Sequence, residues 1–280
     1  EQNRAVKISS IPGAWDVQPI PGQAMKVLQG NYDGLYVLQY DEQVNQWAMA
    51  HKINGFNYSA KDFEITENHQ VVVSHEYKGV YLLNLDEPLN NVVDYALIPE
   101  LAKGLHSDLE TFDGHIYYAA QQGVYSSATA PIAFSRDSTL SALFDSNQYS
   151  TGTMVADDYD RLWFLTLSGL THVAKDPIDN SYVITGIPLP QALRNDMTGQ
   201  ENLAFLDKEH LLYGNASGYL RLRTDLSLDE LPHQLKLTSV AAQDNLTNEI
   251  KLMLDAGGQL SHEQNNLAFS YNISDYNLFT

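Results

Sequence analysis

The chain reads as an all-β protein, a β-propeller of four-stranded blades followed by the first strands of a β-sandwich. Three observations predict this. Five segments share one pattern, an apolar strand, a short polar turn, then Gly and a second strand. Their glycines, Gly34, Gly79, Gly123, Gly169 and Gly218, are spaced 45, 44, 46 and 49 residues apart. Runs with a 3.6-residue apolar period are nearly absent; only Leu140–Phe144 and Leu189–Arg194 suit a turn or two of helix. Four short antiparallel strands in about 45 residues make a propeller blade, and a blade cannot bury both of its faces alone, so blades stack around an axis.

Each unit justifies its strands in turn. The hairpins are 26–40, 71–85, 116–128, 162–174 and 211–223. A glycine suits such a turn because strand-to-strand reversals often need φ > 0. A further strand precedes each hairpin, at Trp15–Ile20, Asp62–Thr66, Asp108–Phe112, Thr153–Ala156 and Asn202–Leu206, set off by turn residues such as Pro21-Gly22 and Asp113-Gly114. A fourth strand follows at Gln46–Ile53 and Val92–Ile98. Apolar runs such as Val71-Val72-Val73 and Leu162-Trp163-Phe164 suit second strands buried between neighbouring blades. Residues Arg4–Ile8 read as the outer strand of a blade, either closing the ring or left from blades upstream. The repeat stops near residue 232. The expected division is 1–232, propeller, and 233–280, a truncated sandwich whose strands begin with 235–242 and 250–254.

Composition narrows the function. With 16 Lys+Arg against 35 Asp+Glu the net charge is −19, which repels phosphate backbones and anionic membrane faces, so this segment is expected to bind no nucleic acid. There is no cysteine, hence no disulfide, thiolate zinc site or cysteine nucleophile. No apolar run is long enough to span a membrane as a helix. The chain opens on Glu1 and stops at Thr280 within an apolar and aromatic stretch, which reads as a piece of a longer protein.

One unit, DDYDRLWFLTLSGLTHV (157–173), resembles the two-component-regulator propeller repeat through Asp157, Leu162, Trp163, Thr166, Gly169 and Leu170; Asp160 and Leu165 stand where that repeat has glycines. Residues 47–86 look like the propellers of receptors that also carry a triple-tyrosine domain, and LSHEQNNLAFSYNISDY (260–276) looks like the opening strands of that domain. The resemblance implies the periplasmic sensor of an inner-membrane receptor. A transmembrane helix and a cytoplasmic output (histidine kinase, nucleotide cyclase or DNA-binding transcriptional regulator) would follow beyond this chain. It also implies an oligosaccharide or similar small ligand.

The sequence carries no catalytic or metal motif. The nine histidines form no HxxxH, HExxH or HxH; His106 and Asp108 share a strand face but are too few for a metal site. The run Asp157–Asp160 lacks the Gly and distal Glu of a calcium loop and is expected to be a solvated turn. Ser74 and His75 are adjacent, so in a strand they point to opposite faces. No cofactor is expected. The turns around the channel mouth gather Trp15, Tyr32, Tyr58, Lys61, His75, Tyr77, His106, Asp108, Tyr149 and Arg194, rings with nearby acids and bases suited to stacking and hydrogen bonding. The same rings could instead pack between blades, as Trp47, Trp163 and the tyrosines that follow the repeat glycines (Tyr36, Tyr81, Tyr125) are expected to do. The leading expectation is a ligand-sensing region, in which two copies side by side could transmit a ligand-driven rearrangement. A protein-interaction scaffold and a propeller lyase or hydrolase are the alternatives.

Overall fold

The computed structural model describes residues 6–103, 106–144, 148–189, 191–194, 201–225, 235–244, 246–247, 250–253, 260–264 and 266–273. The chain divides into two compact units, 1–226 and 227–280. The expected boundary near 232 falls outside the described residues. The first unit holds five blades in a propeller arrangement.

Blade 1 is β1 (Val17–Pro19), β2 (Lys26–Asn31), β3 (Gly34–Asp41) and β4 (Gln46–Lys52). Blade 2 is β5 (Asp62–Ile65), β6 (Gln70–His75), β7 (Gly79–Leu85) and β8 (Val92–Leu97). Blade 3 is β9 (Asp108–Phe112), β10 (His115–Ala120), β11 (Gly123–Ala128) and β12 (Ser135–Asp137). Blade 4 is β13 (Tyr149–Ala156), β14 (Arg161–Thr166), β15 (Gly169–Lys175) and β16 (Tyr182–Pro188). Each is an antiparallel sheet in chain order. Blade 5 pairs β17 (Asn202–Phe205), β18 (His210–Asn215) and β19 (Gly218–Arg223), with no fourth strand among the described residues. The five repeat glycines all have φ between 119° and 150°, the region that only glycine enters without strain. In the second unit β20 (Leu235–Gln243) lies between β21 (Ile250–Met253) and β22 (Asn266–Ile273).

The apolar runs work because a strand alternates its faces. Val71 and Val73 pack toward blade 1 with Leu28, Leu35 and Val37, while Val72 packs toward blade 3 with Ile116 and Tyr118. Tyr117 and Ala119 then meet Leu162 and Phe164 of blade 4, whose Trp163 and Leu165 meet Leu211 and Tyr213 of blade 5. A second strand with a neighbour on both sides therefore reads as continuously apolar. β18, with Leu211 and Tyr213 buried between less buried neighbours, reads as alternating.

A second tie runs along the inner strands. The Asp62 carboxylate accepts the Leu109 backbone N–H of the next blade at 2.8 Å, and the Asp108 carboxylate accepts that of Met154 at 2.7 Å. Asp157 also departs from expectation. Its carboxylate is fully buried and accepts from Arg161 Nε (2.6 Å), Trp163 Nε1 (2.8 Å) and two backbone N–H groups. Only Asp158, Tyr159 and Asp160 form an exposed turn. Asp157 is thus the internal cap of the Trp-bearing hairpin. The outer strand expected at Arg4–Ile8 is not formed where it is described. Val6 and Ile8 would share one strand face, and both are exposed, so nothing buries that face.

Two outcomes follow for stability. Trp163→Ala removes a fully buried ring and lowers unfolding free energy by about 3–5 kcal/mol in denaturant titration. Asp62→Ala leaves the Leu109 N–H without its acceptor and costs about 1–3 kcal/mol, whereas Asp62→Asn, which keeps an acceptor, costs clearly less.

Candidate functional site

The turns at the ends of the blade 1 and blade 2 hairpins build a shelf. Trp15 N–H bonds the Gly30 carbonyl at 3.0 Å, and Ala60 N–H bonds the Asn31 carbonyl at 3.0 Å, so both incoming links are pinned to the end of β2. The link reaches this close because residue 30 is glycine: a Cβ there would lie 1.9 Å from the Ala60 carbonyl oxygen. Tyr32 and Tyr77 stand in the turns between β2 and β3 and between β6 and β7. Trp15, Tyr32, Ser59, Lys61, Ser74, His75, Glu76 and Tyr77 surround a cavity of about 350 Å³. Its rings are open to solvent, Trp15 at 41%, Tyr32 at 56% and Tyr77 at 67%. Trp15 and Tyr32 meet edge to face at 5.1 Å. Lys61 lies 5.8 Å above the Trp15 ring and is paired with Glu76 at 3.0 Å. Partial burial, and then the Lys78 ammonium, hold the His75 pKa below its ordinary value.

Five of the expected residues, Trp15, Tyr32, Lys61, His75 and Tyr77, therefore come together here. Tyr58 lies behind them, stacked on Tyr81 at 5.7 Å, edge-on to His75 at 6.2 Å and capped by Lys78 at 3.9 Å. His106 and Asp108 stand in an adjoining cavity. Tyr149 is a strut between blades 3 and 4: its hydroxyl donates to the His106 carbonyl and its ring meets Phe144 edge to face. Arg194 lies apart, donating to the Thr166 carbonyl at 3.2 Å beside a crevice of blades 4 and 5.

The adjoining cavity, about 330 Å³, is the inner channel. Residues of all five blades or the links entering them line it, among them Asp16, Gln18, Asp62, Glu64, Asp108, Glu110, Thr151, Thr153 and Glu201. Of its acids only Asp108 is among the expected site residues, yet the others carry a signal of their own. Asp16-x-Gln18, Asp62-x-Glu64 and Asp108-x-Glu110 recur at a spacing of 46 residues. Residues i and i+2 of a strand face the same way, so three successive inner strands place two tiers of carboxyl and amide groups on the channel wall. Gln18 Nε2 donates to the Phe63 carbonyl (2.6 Å) and to Glu64 (3.1 Å), and Thr111 Oγ1 donates to Glu64 at 2.6 Å.

Burial, and with it the crowding of so many acids, raises their pKa values. Burial pushes Glu64 up to about 7 against the pull of Thr111 and Gln18, and Asp108 up to about 7. Burial and then the charges of Glu64 and Asp108 push Glu110 up to about 9. Asp62 is held well above the ordinary range by burial and by Asp108. Among the described residues, no group of three or more His, Asp or Glu is placed to hold a metal ion.

These shifts make stability depend on pH. A carboxyl with a raised folded pKa favours the folded state below its ordinary value, and that contribution is lost as pH rises through the folded pKa. The midpoint of thermal unfolding therefore falls between about pH 5 and pH 9, and Glu110→Gln flattens the fall above pH 7. Melting curves across that range check both.

No family model matches this chain, and no curated protein does. Among solved structures it is similar to a candidate 6-phosphogluconolactonase from Bacteroides fragilis, with a TM-score of 0.51 at 8% identity over 94% of this chain and 88% of that one. It is also similar to the extracellular domain of a candidate hybrid two-component system from B. thetaiotaomicron, with a TM-score of 0.49 at 14% identity over 92% of this chain and 35% of that one. A periplasmic gluconolactonase from Pseudomonas aeruginosa gives a TM-score of 0.45 at 11% identity over 90% and 87%. The chain thus spans little more than a third of the two-component-system domain. At such identities the first of these likenesses speaks to fold alone.

Proposed function

We propose that this chain is the extracytoplasmic ligand-sensing region of a membrane-bound signalling receptor, and that its propeller takes an oligosaccharide on the aromatic shelf. The observation that carries the reading is the exposure of Trp15, Tyr32 and Tyr77 around one cavity that also offers Ser59, Lys61, His75 and Glu76. Exposed rings of this kind give flat apolar faces for sugar rings, and the polar neighbours supply the few directed hydrogen bonds that fix orientation. Rings at turn tips on a strand framework need little ordering to bind. The sequence resemblance to the two-component-regulator propeller supplies the signalling half of the proposal: a transmembrane helix and an output module beyond this chain, with a ligand-bound arrangement favoured over the free one in a pair of sensors.

The channel acids favour a second reading. Glu64 and Asp108, both near 7, lie where a general acid works best at neutral pH, which suits a propeller lyase or hydrolase. Turnover assays on the same saccharides separate the two readings: binding without bond cleavage supports the sensor, and cleavage lost on Glu64→Gln supports the enzyme.

In a thermal-shift screen of oligosaccharides, a ligand at 100 times its Kd raises stability by about 2.7 kcal/mol. Trp15→Ala and Tyr77→Ala are each expected to weaken that ligand about tenfold or more while leaving the circular dichroism spectrum unchanged. A screen in which no saccharide shifts the melting curve supports the protein-scaffold reading instead.

A further inference from the structure

The shelf and the inner channel share three wall residues, Lys61, Ser74 and Glu76. A ligand longer than one ring that lies on the shelf meets the channel next, and the channel confronts it with carboxyl groups from Asp16, Asp62, Glu64, Asp108, Glu110 and Glu201. Among the described residues Lys61 is the only lysine or arginine in that lining, and its ammonium is paired with Glu76 at the seam between the two cavities. The chain as a whole carries −19. We infer that the ligand of the shelf carries an amino group and places it in the channel, so that the ligand class is an amino-bearing oligosaccharide such as a glucosamine oligomer. This rests on the reading of the shelf as a saccharide site and adds the charge of the ligand to it.

The two cavities divide the recognition. The exposed rings take the faces of the sugar, and the channel takes the ammonium. An ammonium entering a poorly solvated wall of carboxyls is attracted strongly and favours their ionised forms. The acid protons leave to solvent as the cation arrives, so charge balances within the cavity. A saccharide carrying carboxylate or sulfate cannot drive these acids to ionise, and any carboxylate already ionised repels it where water screens least. The net field of the chain adds to the selection by drawing cations toward the protein and repelling anions before contact.

The test is isothermal titration calorimetry near pH 6, where sugar amines are charged, with three probes: fully deacetylated chitotetraose, its N-acetylated form and tetragalacturonate. The deacetylated tetramer is expected to bind at least about tenfold tighter than the N-acetylated one, with no heat from tetragalacturonate. Glu110→Gln and, at the fifth blade, Glu201→Gln are each expected to reduce that preference severalfold. Glu201→Gln serves where Glu110→Gln fails to fold. Equal or tighter binding of the N-acetylated tetramer, binding of tetragalacturonate, or an unchanged preference in both variants overturns the inference while leaving the shelf as a neutral-saccharide site. Binding of none of the three overturns the saccharide reading of the shelf as well.

Discussion

The inner-strand aspartate is the interaction on which the rest of the structure turns. Asp62 and Asp108 each cross to the following blade and accept a backbone N–H from its innermost strand. Hydrophobic packing holds neighbouring blades together without direction. A carboxylate on a specific N–H sets how far one inner strand stands from the next, and so how wide the channel is. The same placement obliges the carboxyls of three blades to face a common cavity, where burial and then their mutual charge raise their pKa values. The chemistry of the channel is thus a consequence of the way its wall is tied.

The shelf depends on that wall at one remove. Lys61 immediately precedes the tying aspartate Asp62, and Trp15 immediately precedes Asp16, which holds the corresponding place in blade 1. Fixing the inner strands therefore fixes the residues that enter them, and these form the floor of the aromatic cavity. The rings at the hairpin tips, Tyr32 and Tyr77, are placed by the second and third strands. In blades 1 and 2 the incoming link and the hairpin turn thus converge on one site.

Much of this was legible in the sequence. Glycines at a near-constant spacing gave the blades, because a hairpin needs φ > 0 at one fixed place. The apolar triplets gave the second strands, because a strand between two neighbours must be apolar on both faces. Trp15, Tyr32, Lys61, His75 and Tyr77 could be grouped once the turns were assigned to one end of the blades. The channel acids were harder to see, since a chain with 35 acids offers chance pairs everywhere; their 46-residue recurrence as Asp-x-Gln/Glu is visible only when the inner strands are aligned with one another. The burial of Asp157 is not legible, because a turn sequence does not show that its first residue folds back onto Arg161 and Trp163. Loop position alone places Tyr149 and Arg194 at the channel mouth, and position along a loop does not tell which way a side chain turns.

Carboxyl carbon NMR, following the Asp and Glu side chains as pH is raised, tests the central claim most directly. The account predicts that Glu110 titrates near 9 and that Glu64 and Asp108 titrate near 7, separated from the surface acids. A titration in which every carboxyl ionises below about pH 5, the range of solvated acids, would contradict it, because the inner strands would then not hold their acids together against a shared, poorly solvated channel.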